Sequence, residues 1–424
     1  MRKITAASFN ENANRVVWSE TLKQGEAMLQ GWLAAGDGGV RSTAADTRMV
    51  AINVLMQAGF GKSYDFEPEG TPAMGKENGE GVMDYRQAMN LILSNAILII
   101  GLGPANLPKL AFLSKKLATL ATAVATFQQY MTDMLEQGHK EGQDVELRGN
   151  LLQALVRALH EDNQLSQAEV FGNQFVFTFG GHDTTAHSLA FTFTLLSIHP
   201  EVQDWLRDEL RRELAGKDPK DWSYEYFGNL KRTLAVQVST LFGRLEERRS
   251  RLTTAFTAQY ETMRLYNPLL GISKGVAAGR AFPVSFDGGK TTVTIPEKTN
   301  LTLNINAIHA HPRYWGPDAL EWRPSRWIQT DNDGTEQLMV PEKGVWQAWS
   351  DGQRVCPGKK FGQVEHVALM AAVFRDHAVE AAVEGGESTR QTRDRIMSVI
   401  QDSGMILNIS MFHPEKASLV WRRC

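Results

Sequence analysis

Apolar residues recur at three- and four-residue intervals through the first two thirds of this chain, the spacing of helices that bury one face. The pattern predicts helices from Glu11 to Leu33, Ala44 to Ala58, Asp84 to Ile100 and Leu110 to Gln137, with Gly59 and Gly101 as stop signals. Between them, Glu67 to Gly81 is polar, holds four glycines and two prolines, and reads as a surface loop. A longer helix opens at Ser166, where Glu169 completes a capping box, and meets no proline until His199-Pro200. It has about 32 residues, roughly 48 Å, enough to cross a whole domain. After Ala281 the period changes. Pro283 to Phe286 and Thr291 to Ile295 flank Asp287-Gly288-Gly289 as a hairpin does, and Leu301, Leu303 and Ile305 alternate with polar residues. Ala310 to Val345 is rich in Pro, Gly and Trp and reads as irregular, and a last clear helix runs from Lys359 to Phe374 with Gly362 its weak spot. The chain is therefore expected to be mainly α with a small β region, a single domain over residues 1–424.

Composition narrows the class. With 424 residues, 42% hydrophobic and a net charge of -3, the chain can bury a large core and is too neutral for a nucleic-acid binder. Its two cysteines, Cys356 and Cys424, exclude a disulfide scaffold and point to a reducing compartment. The longest apolar run, Leu91 to Leu102, is interrupted by Ser94-Asn95 and falls short of the about 20 residues that span a bilayer. The sequence as written is thus expected to carry neither membrane anchor nor signal peptide.

The chemistry concentrates around Cys356. Trp349-Ser350-Asp351-Gly352-Gln353-Arg354-Val355-Cys356-Pro357-Gly358 places one thiol in a tight loop just before a helix. Backbone N–H groups at a helix start and Arg354 both favour the thiolate, the form that binds metals. Gly352 and Gly358 are expected to let the loop pass close beneath a flat ligand. The long helix contains Gly180-Gly181-His182-Asp183-Thr184-Thr185. A Thr184 hydroxyl competing for the Gly180 carbonyl is expected to open the helical ladder and leave a groove, where Asp183 and Thr184 supply an acid and a hydroxyl. His182 is a weaker candidate ligand, since a lone helical histidine is more often simply hydrogen-bonded. Val176, Phe177 and Phe179 precede this motif as candidate pocket residues.

The Cys356 decapeptide resembles the haem-binding signature of the cytochrome P-450 superfamily, and the likeness covers nearly all of the chain. It implies that Cys356 is the proximal iron ligand of haem b, that Trp349 stands where Phe is commoner, and that Arg354 meets a haem propionate. Gly180-Gly181 through Thr185 is similar to the family's oxygen-activation motif, with Gly180 where Ala is commoner. Glu-x-x-Arg occurs at Glu209/Arg212, Glu246/Arg249, Glu261/Arg264 and Glu387/Arg390. Only Glu261/Arg264 stands in the family's order before Trp322-Arg323-Pro324-Ser325-Arg326-Trp327 and the cysteine loop. The resemblance therefore implies a buried structural triad of Glu261, Arg264 and Arg326. His309 is expected to reach a propionate or, more in keeping with a lone histidine, to make a structural hydrogen bond.

Further expectations rest on the same likeness. Arg2-Lys3 with Ala7-Ser8-Phe9 and Asn14-Arg15 looks like the middle of the family's helix C, which gives Arg2 a propionate and implies that the segment before it is missing. Residues 238–259 interrupt the family's pattern and are expected to be a translated intron. The implied function is a haem-thiolate monooxygenase that inserts one oxygen atom of O2 into an apolar small molecule in secondary or xenobiotic metabolism. Electrons would come from NADPH through a separate flavoprotein reductase, with cytochrome b5 as a further partner. The wording around Trp349 resembles fungal microsomal members. Full-length relatives sit on the cytosolic face of the endoplasmic reticulum membrane, whereas this chain, without an anchor, would be cytosolic or peripheral. Two alternatives stay open, a non-catalytic relic and a peroxygenase that uses H2O2.

Overall fold

The computed structural model describes residues 2–68, 83, 85–140, 150–160, 164–234, 258–286, 289–334, 336–405 and 407–424. The expected loop at 67–81 and insertion at 238–259 lie almost entirely outside the described residues. Helix α1 (Glu11–Ala34) starts where the Asn10 side chain accepts the Ala13 N–H. Helix α2 (Thr43–Phe60) runs past Gly59 and ends at Gly61, whose left-handed φ of 71° closes the turn onto Gln57. The stop was misplaced because either glycine suits a C-cap and only the backbone hydrogen bonds choose between them.

The single helix expected from Asp84 to Ile100 is two, α3 (Tyr85–Ser94) and α4 (Ala96–Leu102). Asn95 separates them: its side-chain amide donates to the Leu91 carbonyl at 3.0 Å, a bond that competes with the helical ladder. The helix predicted from Leu110 begins later, as α5 (Lys115–Lys140), because Ser114 is extended at φ -162° and ψ 153°. Helix α6 (Leu151–His160) follows.

Helix α7 (Gln167–Leu196) has 30 residues and the predicted capping box of Ser166 and Glu169. Ser166→Ala should cost about 1 kcal/mol of unfolding free energy. Urea melts of the two proteins measure it, and superimposable curves would show that the cap contributes nothing. The expected opening of the ladder does not occur. The Thr184 hydroxyl does donate to the Gly180 carbonyl at 2.9 Å, and Thr185 to Gly181 at 3.3 Å, yet α7 is helical throughout. A carbonyl has two lone pairs, so hydroxyl bonding and the helical bond coexist.

Helix α8 (Pro200–Glu213) and, beyond the undescribed residues, α9 (Ala258–Leu265) lead into the β region. Strands β1 (Gly271–Gly275), β2 (Arg280–Phe286), β3 (Gly289–Ile295) and β4 (Asn300–Asn304) form antiparallel pairs, β1 with β4 and β2 with β3. The hairpin is thus where the alternation put it, while Ile305 already starts a short helix to His309. The stretch read as irregular is partly ordered: β5 (Ile328–Thr330) pairs with β6 (Glu336–Leu338).

Helix α10 (Lys359–Phe374) leads to β7 (His377–Ala381), α11 (Thr389–Gln401), β8 (Ser403–Met405), β9 (Ile409–Met411) and β10 (Leu419–Arg423). Strand β7 pairs with β10 and β8 with β9. Trp32 of α1 stacks on Trp421 of β10 at 4.8 Å, and Phe193 of α7 meets Trp32 edge-on at 5.6 Å, so the long helix runs through the core. Helix α1 packs against α10 at Gly25, where an added Cβ would lie 2.7 Å from Leu369 Cδ1.

Candidate functional site

The cysteine loop is built from short local bonds. The Asp351 carboxylate accepts the Gly352 N–H at 2.6 Å, and Gly352 turns with φ 72°, a conformation that favours glycine. Cys356 N–H donates to the Trp349 carbonyl at 2.9 Å and closes the loop. Gly358, by contrast, has φ -82°, and a Cβ there would make ordinary contacts with Phe9 and Cys356. Of the two loop glycines, only Gly352 needs the left-handed region, while Gly358 lines the chamber with ordinary backbone. The loop rests on α10, whose Val364, Val367, Ala368 and Leu369 are buried. Cys356 is exposed to a cavity of about 490 Å³, which Trp349, Arg354 and Gly358 also line. The Lys359 ammonium lies 5.6 Å from the centre of the Trp349 ring.

Helix α7 contributes Val176, Phe177, Phe179, Gly180, Gly181 and Thr184 to the same cavity. A Cβ at Gly180 would meet nothing within 4 Å, so the wall is open there for a flat group. Sulfur and threonine hydroxyl thus belong to one apolar chamber. Lys274, on β1, lines it as a second cation beside Arg354. Lys274 was missed in the sequence, since a lysine in a strand carries no recognisable signal. The Arg2 side chain lies outside the described residues.

His182 and His309 do not line the chamber. His182 is fully buried, its Nδ1 bonded to the Thr178 carbonyl, and burial lowers its pKa. His309 is fully buried as well and stacks on Trp346 at 4.5 Å. Its Nε2 accepts the Gln347 N–H at 2.9 Å, and burial pushes its pKa down to about 3. A neutral, buried acceptor fits the structural alternative and not a propionate contact.

Asp183 is also turned away from the chamber. Its carboxylate accepts from Arg48 Nε at 3.2 Å and from Asn408 Nδ2 at 2.7 Å, with His187 Nε2 at 3.4 Å. Burial alone would raise its pKa, but the His187 hydrogen bond and the charges of His187, His182 and Arg48 outweigh burial. They hold the carboxyl well below the usual carboxylate range. Asp183 is thus held by hydrogen bonds behind the chamber wall and is not itself among the lining residues. Arg48, on α2, and Asn408, just before β9, were not anticipated because both come from remote parts of the chain.

The triad assembles fully. Glu261 and Arg264 have no exposed side-chain surface, and Arg264 Nε and Nη2 each donate to Glu261 at 2.8 Å. Arg326 Nε donates to Glu261 Oε1 at 2.8 Å, Trp327 Nε1 to Oε2 at 2.9 Å and the Arg323 N–H to Oε1 at 2.9 Å. The other described copies of the spacing behave differently. Glu209 is buried and accepts from the Thr233 N–H at 2.7 Å, while Glu387 pairs with Arg395 at 2.9 Å. Spacing alone did not select the buried pair; its place in the chain did.

The structure is a helical body in which a cysteine loop and a long helix line one largely apolar chamber. The cytochrome P450 family model matches residues 1–236 and 247–408, and the chain belongs to that family. A cytochrome P450 monooxygenase of Arthrobotrys oligospora is 27% identical over 470 residues, covering 100% of this chain and 74% of the relative. One of Penicillium rubens is 26% identical, covering 89% and 65%, so the chain spans about two thirds of that relative's length. A cytochrome P450 monooxygenase of the phomenoic acid biosynthesis cluster of Leptosphaeria maculans is 26% identical, covering 95% and 69%. A cytochrome P450 crystal structure superimposes with a TM-score of 0.70 at 16% identity, over 100% of this chain and 81% of that one.

Proposed function

We propose that the chain is the catalytic part of a haem-thiolate monooxygenase that oxidises a largely apolar small molecule. The observation that carries this reading is that Cys356 and Thr184 line one chamber. The residues fit haem b: a thiol as ligand, an open wall at Gly180, and the cations Arg354 and Lys274 for two propionates. Bound there, haem would supply the activation of O2, with electrons from NADPH through a separate flavoprotein reductase. Cys356 would hold the iron. The Thr184 proton is committed to Gly180, so its oxygen offers lone pairs that can hold a proton donor at the chamber wall. Phe177, Phe179 and Leu55 exclude water and favour an apolar occupant.

Reconstituting the chain with haem and recording the reduced carbon monoxide difference spectrum tests the reading. A thiolate-type Soret shift supports it, and a haem-free chain removes it. The relative in the phomenoic acid cluster supports a place in fungal secondary metabolism. Among the described residues no single helix is long and apolar enough to cross a membrane. Ile97, Ile100, Phe112 and Leu113 are nevertheless exposed on two helical segments bent by 76°. They support peripheral attachment to a membrane face. The chain is then expected to float with phospholipid vesicles and Ile100→Asp with Phe112→Asp to stay behind; equal flotation of both would discard the attachment.

A further inference from the structure

Asn408 stands between the chamber and the carboxylate behind it. It lines the chamber, is only 4% exposed, and donates Nδ2 to Asp183 Oδ2 at 2.7 Å. Its Oδ1 has no hydrogen-bond partner among the described residues. The next residue fastens it in place, since Ile409 N–H donates to the Pro268 carbonyl at 2.9 Å. Two more chamber residues carry buried polar atoms without partners, Ser188 Oγ on α7 and Asn267 Oδ1 beside Pro268. Asn408 is tied to both of those segments, through Asp183 of α7 and through the Ile409 bond to Pro268, and marks a polar corner in a chamber lined mainly by apolar side chains. An unpaired buried acceptor costs about 1 to 3 kcal/mol, which an occupant recovers by donating a hydrogen bond to it.

The amide group is planar, so its two ends move together. A donor that draws Oδ1 toward the chamber also moves the Nδ2 that holds Asp183. We propose that Asn408 is a positioning residue that sets the orientation of Asp183 and lets it respond to a hydroxyl on the chamber's occupant. The preferred substrates are then lipophilic molecules with a hydroxyl at the end that meets this corner. The inference rests on the monooxygenase reading and deepens it. Arg48 holds the other carboxylate oxygen of Asp183, Oδ1, at 3.2 Å, so Asn408 is one of two anchors on this group.

The test uses the haem-loaded chain, 1-dodecanol and n-dodecane as matched probes, and the Soret shift as the binding readout. Wild type is expected to bind the alcohol about tenfold more tightly than the alkane, the worth of one good hydrogen bond. In Asn408→Leu that ratio is expected to fall to near one, and Asn408→Ser serves as a smaller second variant should leucine disturb the hairpin. With reductase present, misplacing Asp183 diverts O2, two electrons from NADPH and two protons into hydrogen peroxide. Peroxide per NADPH is expected to rise in Asn408→Leu and in Asp183→Asn, and the double variant to match Asp183→Asn alone. An unchanged alcohol-to-alkane ratio in both Asn408 variants, or additive peroxide yields, overturns the proposal. A wild-type protein without the thiolate-type carbon monoxide spectrum overturns the monooxygenase reading and this inference with it.

Discussion

Glu261→Ala lowers the unfolding free energy by about 3 to 5 kcal/mol, the expected result of stripping one partner from a buried ion pair. The carboxylate accepts from Arg264, Arg326, Trp327 and the Arg323 backbone, so its removal leaves Arg264 without its counter-charge and Arg326 with Asp318 alone, at 3.2 Å. Arg264 has no exposed surface through which water could compensate. Its Nη atoms also hold the carbonyls of His309, at 2.8 Å, and Glu321, at 3.0 Å. The loss therefore spreads into the segment that packs behind the cysteine loop. Domains of ordinary stability have about 5 to 15 kcal/mol in total, so this one side chain accounts for a large share. Urea unfolding followed by circular dichroism measures the change. Glu261→Gln should behave almost as badly, because an amide keeps the shape but not the charge. A loss below about 1 kcal/mol would mean that the guanidinium groups find other acceptors and that the cluster is dispensable.

Cys356→Ser removes the thiolate-type carbon monoxide band altogether and reduces oxygenation to background, while the fold survives. The asymmetry follows from exposure. Cys356 faces the chamber rather than the core, and its loop is closed by backbone bonds that serine leaves intact. Serine's hydroxyl is a far weaker acid than a thiol and does not offer an anionic sulfur to iron. Absorbance after reconstitution, combined with a thermal melt, separates loss of the ligand from loss of the fold. A serine variant that melts like wild type and still gives the thiolate-type band would remove Cys356 from the site.

Much of the fold could be read from periodicity because the helices are long. Helix α7 and its Ser166 cap were legible, since a capping box and an apolar run of many turns reinforce each other. Breaks within helices were harder. Asn95 splits α3 from α4 through a side-chain bond to Leu91, and nothing distinguishes it beforehand from an asparagine that stays helical. Strands β7 to β10 have three to five residues each, too few for an alternation to register. At the site, Cys356, Thr184 and the Glu261 triad were visible through motif and chain order. The partners of Asp183 were not. Arg48 and Asn408 reach it from 135 and 225 residues away, and only packing brings them together. That is also why its setting was missed: the carboxylate is held by His187, Arg48 and Asn408 rather than presented at the chamber wall.

The contact at Gly25 has a consequence for anyone who wishes to redesign this protein. A methyl group added there must displace Leu369, and α10 carries the sulfur loop at its other end. Position 25 therefore touches the helix that carries the cysteine loop from a seam outside the chamber lining.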